Sequence, residues 1–113
     1  MTCLIVDDEP LAREGVQRLV ASRASLVLLR SFSSTLGVLD YVASHPVDLV
    51  FLAIEMPGGN GLELAASLPA TLVIFTTAYA EYALQSYDVE AIDYLVKPIA
   101  APRSVSGVFV TKE

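Results

Sequence analysis

Five short apolar runs, CLIV (3–6), SLVLLRSF (25–32), DLVFLA (48–53), TLVIFTT (71–77) and AIDYLV (91–96), recur along the chain with helix-forming stretches between them. Continuous runs of Val, Ile and Leu, without polar alternation, belong to strands covered on both faces. The intervening stretches carry apolar residues at helical spacing. Leu11, Gly15, Val16, Leu19 and Val20 form one stripe behind Pro10, with Arg13, Glu14, Gln17 and Arg18 opposite. Leu36, Leu39, Val42 and Ala43 form a second stripe, for which Ser33 or Ser34 is the expected N-cap and His45-Pro46 the stop. Shorter helices are expected over 61–68 and 81–87. Strands that alternate with helices through short connections make right-handed βαβ units and a parallel sheet. The expected class is α/β, a doubly wound sheet whose functional crevice lies at the carboxyl ends of its strands.

At 113 residues the chain allows one domain. A hydrophobic fraction of 54% excludes disorder as the default state. No apolar run approaches the roughly 18–20 residues of a membrane span, and Met1-Thr2-Cys3 opens a strand rather than a basic leader, so a soluble, cytoplasmic protein without membrane partners is expected. Cys3 is the single cysteine, which leaves no internal disulfide and points to a buried, inert thiol. A net charge of −6 argues against nucleic-acid binding by this chain alone, because phosphate backbones demand a basic face.

The strand ends carry the chemistry. The first run ends in Asp7-Asp8-Glu9, the third in Ala53, the fourth in Thr76-Thr77, and Lys97-Pro98 follows the fifth. Adjacent carboxylates at a buried strand end repel and call for a cation. Their hard oxygens suit Mg²⁺, which keeps several waters and takes one or two protein carboxylates. A threonine hydroxyl and a lysine nearby would bind phosphoryl oxygens. Asp7, Asp8, Thr77 and Lys97 therefore read together as a Mg²⁺-assisted phosphoryl site. Each also has a plainer reading. Asp7 and Asp8 can cap the first helix, Thr77 can be an ordinary strand-end hydroxyl, and Lys97 a solvated lysine. Tyr94 can be a half-buried aromatic, and His45 is read as an exposed loop residue.

The segments LIVDDEP, FLAIEMPGGNGLE, VIFTTAY and AIDYLVKPI resemble the motifs of CheY-like receiver domains of two-component response regulators. EYAL (81–84) and AIDYLVKP further resemble the LytTR-type (LytR/AlgR-like) members. The resemblance spans residues 2 to 99 and implies a flavodoxin-like, CheY-like five-stranded parallel sheet of order 2-1-3-4-5. It implies Asp7 and Asp8 as Mg²⁺ carboxylates with the Glu55 backbone carbonyl beside them, and Thr77 and Lys97 as phosphoryl ligands. Tyr94, with Thr77, would be the switch, and a cis bond is implied between Lys97 and Pro98. A histidine kinase or phosphotransfer protein would be the partner in the parent form, with a DNA-binding output domain in a longer chain.

Two departures stand out. In the family an aspartate ending the third strand accepts phosphate, and here that position is Ala53, so no catalytic residue is expected and the chain is not expected to be an enzyme. A methyl group cannot attack phosphorus. Such an alanine is either an engineered block of phosphorylation or a natural receiver that signals by binding alone. With two carboxylates instead of three, Mg²⁺ binding is expected to be weak or absent.

The second departure is the tail. The family continues into an amphipathic fifth helix, whereas IAAPRSVSGVFVTKE places Pro102 and Gly107 among β-favouring residues. The division expected is a receiver over 1–99 and an atypical tail over 100–113, with the fifth helix short or missing. Phe109, Val108 and Val110 then need cover, and a homodimer is expected through the tail or around Tyr82, Tyr87 and Asp93. Two other classes compete. A Mg²⁺-dependent aspartate-based phosphohydrolase would use Asp7 as nucleophile. A flavodoxin-like nucleotide binder would need a Gly/Ser/Thr-rich loop where this chain has DDEP.

Overall fold

Buried strands satisfy their main-chain groups by pairing with one another, and here the apolar runs do so side by side. A computed structural model describes residues 1–57, 59–77 and 93–96, with the backbone alone for Gly59, Thr77 and 93–96. In chain order the elements are β1 (Thr2–Val6), α1 (Pro10–Ala21), β2 (Val27–Phe32), α2 (Val38–Ser44) and β3 (Leu49–Ala53). Next come β4 (Glu55–Met56), β5 (Gly59–Asn60), α3 (Gly61–Ala66), β6 (Leu72–Thr77) and β7 (Asp93–Val96). Five strands form one parallel sheet in the order β2-β1-β3-β6-β7. The expected helix over 81–87, the Lys97-Pro98 bond and the tail over 100–113 lie outside the described residues.

The strand period of two sends alternate side chains to opposite faces, and both faces are covered. Cys3, Ile5, Leu49, Phe51 and Ile74 meet Val16, Leu19 and Val20 of α1 on one side. Leu4, Val6, Val50, Leu52, Val73 and Phe75 meet Val38, Leu64, Ala65 and Leu68 on the other. Each such fully buried side chain is worth about 1.5–3 kcal/mol, so the central strands are held in register far more firmly than the sheet edge. At that edge half of the β2 residues are exposed. Its pairing with β1 skips Leu29 between Leu28 and Arg30, a bulge of the kind that blunts an open edge.

The helices differ from expectation in their starting points. In α1 the buried face is Ala12, Gly15, Val16, Leu19 and Val20, and Leu11 is 79% exposed. Leu11 precedes Ala12 by one residue, about 100° around the helix, and so falls outside the stripe. The second helix begins at Val38, later than Ser33 or Ser34 would place it. Gly37, at φ +85°, is its N-cap residue, a left-handed conformation that side-chain-bearing residues rarely adopt. The helical register then buries Val38 and half-buries Tyr41 and Val42, while Leu36 and Leu39 face outward. Ser34 instead turns its Oγ to the Leu36 amide at 3.2 Å, a local turn. The antiparallel β4–β5 hairpin was not expected, because two-residue strands carry no periodicity to read. Among the described residues no helix is long and apolar enough to cross a membrane.

Candidate functional site

The carboxyl ends of β1, β3 and β6 lie side by side, and the residues that leave them define the site. Asp7 follows β1 and is 1% exposed. Its amide donates to the Phe32 carbonyl at 3.0 Å, extending the β1–β2 ladder by one bond. Its Oδ1 accepts the Glu9 amide at 3.0 Å, and its Oδ2 accepts the Thr76 hydroxyl at 3.3 Å. Its carbonyl accepts the Arg13 guanidinium at 2.8 Å. A carboxylate removed from water needs such donors, since an uncompensated buried charge is costly. Asp8 is half-buried beside it. The N-cap residue of α1 is Glu9, with no side-chain cap bond, so neither aspartate plays the capping role open to it on sequence grounds.

Ala53 is the last residue of β3, fully buried, and its register partner in β6 is Thr76. The next amide, Ile54, donates to the Thr76 carbonyl at 3.1 Å, which ties the two strand ends together. The chain then folds back through β4 and β5, Glu55 facing Asn60, and the Gly61 amide returns to the Ile54 carbonyl at 2.9 Å. Asn60 caps α3 by accepting the Leu62 amide at 2.7 Å. Glu55 is half-buried at the start of this hairpin. Thr77 ends β6 opposite Val96, and Tyr94 lies in β7 opposite Phe75. Lys97 lies outside the described residues.

The tertiary structure brings forward three residues that sequence reasoning passed over. The Thr76 hydroxyl reaches Asp7. Arg13 secures the turn that carries the two aspartates. Gly61 allows the main chain to approach the Ala53 carbonyl, where an added Cβ would overlap that oxygen. Nothing in the local sequence told that the Thr76 hydroxyl faces the first strand.

Two carboxylates and a main-chain carbonyl are hard oxygen donors of the kind Mg²⁺ accepts. Among the described residues, however, no three His, Cys, Asp or Glu side chains come together as a metal group. The donors fit Mg²⁺ in type while lacking a third carboxylate. Ala53 contributes only a methyl group.

The response regulator receiver domain family matches residues 3–108. The chain is a response regulator receiver domain. This receiver is 47% identical, over 106 residues, to the positive alginate biosynthesis regulatory protein of Pseudomonas aeruginosa, with 88% of this chain and 42% of that protein covered. It is 34% identical over 106 residues to the sensory transduction protein LytT of Oceanobacillus iheyensis, with 88% of this chain and 43% of that protein covered. Among solved structures it resembles the response regulatory domain of protein mrkE from Klebsiella pneumoniae, at 32% identity and a TM-score of 0.78, covering 87% of this chain and 84% of that one. The receiver spans less than half the length of these two curated relatives. The family and the CheY-like parallel-sheet fold expected from the sequence are thus both found.

Proposed function

We propose that this receiver, of LytTR type, does not take phosphate at the usual position, because Ala53 stands there, and that it acts through protein–protein contact. One observation carries the reading: the residue that ends the central strand β3, paired with Thr76 of β6, whose hydroxyl reaches Asp7 after β1, is a fully buried alanine. No oxygen is available at that point to attack a phosphoryl donor. Thr77 and Lys97 are proposed as phosphoryl ligands of a parent form that carries the aspartate, and Thr77 with Tyr94 as its switch. Asp8 is proposed as the main Mg²⁺ ligand, with Asp7 and the Glu55 carbonyl supporting it, and binding is weak without a third carboxylate. The phosphohydrolase alternative is disfavoured, since Asp7 is buried and both its carboxylate oxygens already accept protein donors.

Cytoplasmic two-component signalling is the setting that accords with the family. A histidine kinase or phosphotransfer protein is the proposed partner of the parent form. An output domain that binds DNA is proposed for a longer parent, in keeping with the greater length of the relatives. A homodimer is proposed through the β7 side or the tail, because β7 terminates the five-stranded sheet and residues 108–110 are apolar.

The direct test is incubation with acetyl phosphate or beryllofluoride, read by intact mass and by fluorine NMR. The expected result is no adduct. A phosphoryl group mapped to residues 50 to 60 would overturn the reading. For the dimer, light scattering at tens of micromolar decides, and a strictly monomeric species would remove it.

A further inference from the structure

We infer that Thr76 is a positioning residue that sets how strongly the acidic pair takes up a divalent cation, by supplying Asp7 with the donor that a cation would otherwise replace. The inference rests on reading Asp7 and Asp8 as the cation carboxylates. Asp7 is 1% exposed, and a carboxylate so placed is satisfied either by hydrogen bonds or by a positive charge. Here protein donors reach both oxygens, the Glu9 amide at Oδ1 and the Thr76 hydroxyl at Oδ2. Thr76 is itself 1% exposed. It comes from a strand 69 residues away in sequence, so only the β3–β6 and β1–β3 registers bring the pair together. Its register partner Ala53 carries a methyl group and so no side-chain acceptor.

Removing the hydroxyl takes a donor from Asp7 in the cation-free protein. A cation then recovers more on binding than it does in the parent, so affinity rises as cation-free stability falls. A purely structural hydroxyl would lower stability and leave affinity alone.

The test compares the full chain with Thr76→Val and Thr76→Ser by calorimetric titration with MgCl₂ at constant ionic strength, alongside melting curves without the metal. Thr76→Val is expected to melt lower without Mg²⁺ and to bind it about five-fold more tightly, on the scale of an ordinary hydrogen bond, in keeping with the 3.3 Å separation. Thr76→Ser is expected to restore both values. An affinity that is unchanged or weaker in Thr76→Val, or binding that is undetectable in parent and variant alike, overturns the inference. Should Thr76→Val fail to fold, the Thr76 methyl resonance of the parent serves instead. It is expected to move with the same MgCl₂ midpoint as the Asp8 amide, and a methyl that stays fixed while Asp8 moves overturns the inference. Intact mass after acetyl phosphate treatment of the parent tests the Ala53 reading separately.

Discussion

The main chain of Gly61 lies directly against the carbonyl oxygen of Ala53, with no space between them for a Cβ. That contact closes the 54–60 hairpin over the end of the central strand and sets where α3 begins. The β3–β6 register, with the Ile54 amide on the Thr76 carbonyl, sets Ala53 beside Thr76, and the Gly61 contact packs against the other end of that peptide unit.

Gly61→Ala should therefore destabilise the fold by about 1–3 kcal/mol, the range for forcing an extra methyl into close packing. Urea unfolding should show a lower midpoint with an unchanged m-value. A stability equal to that of the parent would mean that α3 shifts freely away from β3.

Ala53→Asp introduces a third carboxylate beside Asp7 and Asp8. Without Mg²⁺ the added repulsion should lower stability by about 1 kcal/mol or more, and Mg²⁺ should return part of it. The variant should also gain labelling by acetyl phosphate. Melting curves with and without Mg²⁺ decide the first point, and a cation-free aspartate variant that melts no lower than the parent would defeat it.

Asp48 ties the end of the α2–β3 connection to the first strand. Its Oδ2 accepts the Thr2 amide at 2.9 Å and the Thr2 hydroxyl at 3.2 Å. The Thr2 amide bond, above the other influences, holds this carboxyl below its ordinary value of 3.8. A depressed folded pKa means that the contribution is present above the unfolded value and is lost as pH falls through the folded one. Asp48→Asn should thus lower stability near neutral pH and lose less than the parent on acidification to about pH 3. Urea midpoints at the two pH values measure this, and parallel acid losses in the two proteins would exclude Asp48 as a contributor.

Cys3 lies in β1 with no exposed surface, and burial pushes its thiol up to about 11 despite the nearby N-terminal charge. Thiolate is the reactive form. Iodoacetamide at mildly alkaline pH should label Cys3 only as fast as the chain unfolds, and labelling should accelerate in parallel with urea unfolding. Rapid modification of the native protein would contradict the buried position of β1.

The apolar runs by themselves determined the class of fold. CLIV, DLVFLA and TLVIFTT are too short for buried helices and too uniformly apolar for one-sided strands, so local chemistry left little choice. The acids after the first run and the alanine after the third were equally legible, because a strand end is a position the chain declares locally. The start of α2 was less so. Its stripe of leucines pointed to the wrong face, and a single glycine at positive φ, whose conformation no spacing announces, reset the helical phase. The hydrogen bond between Thr76 and Asp7 was beyond local reading altogether. That Thr76 meets an aspartate 69 residues earlier depends on strand register across three strands. Register is a collective outcome of packing on both faces of the sheet, and so only the assembled tertiary structure could decide it.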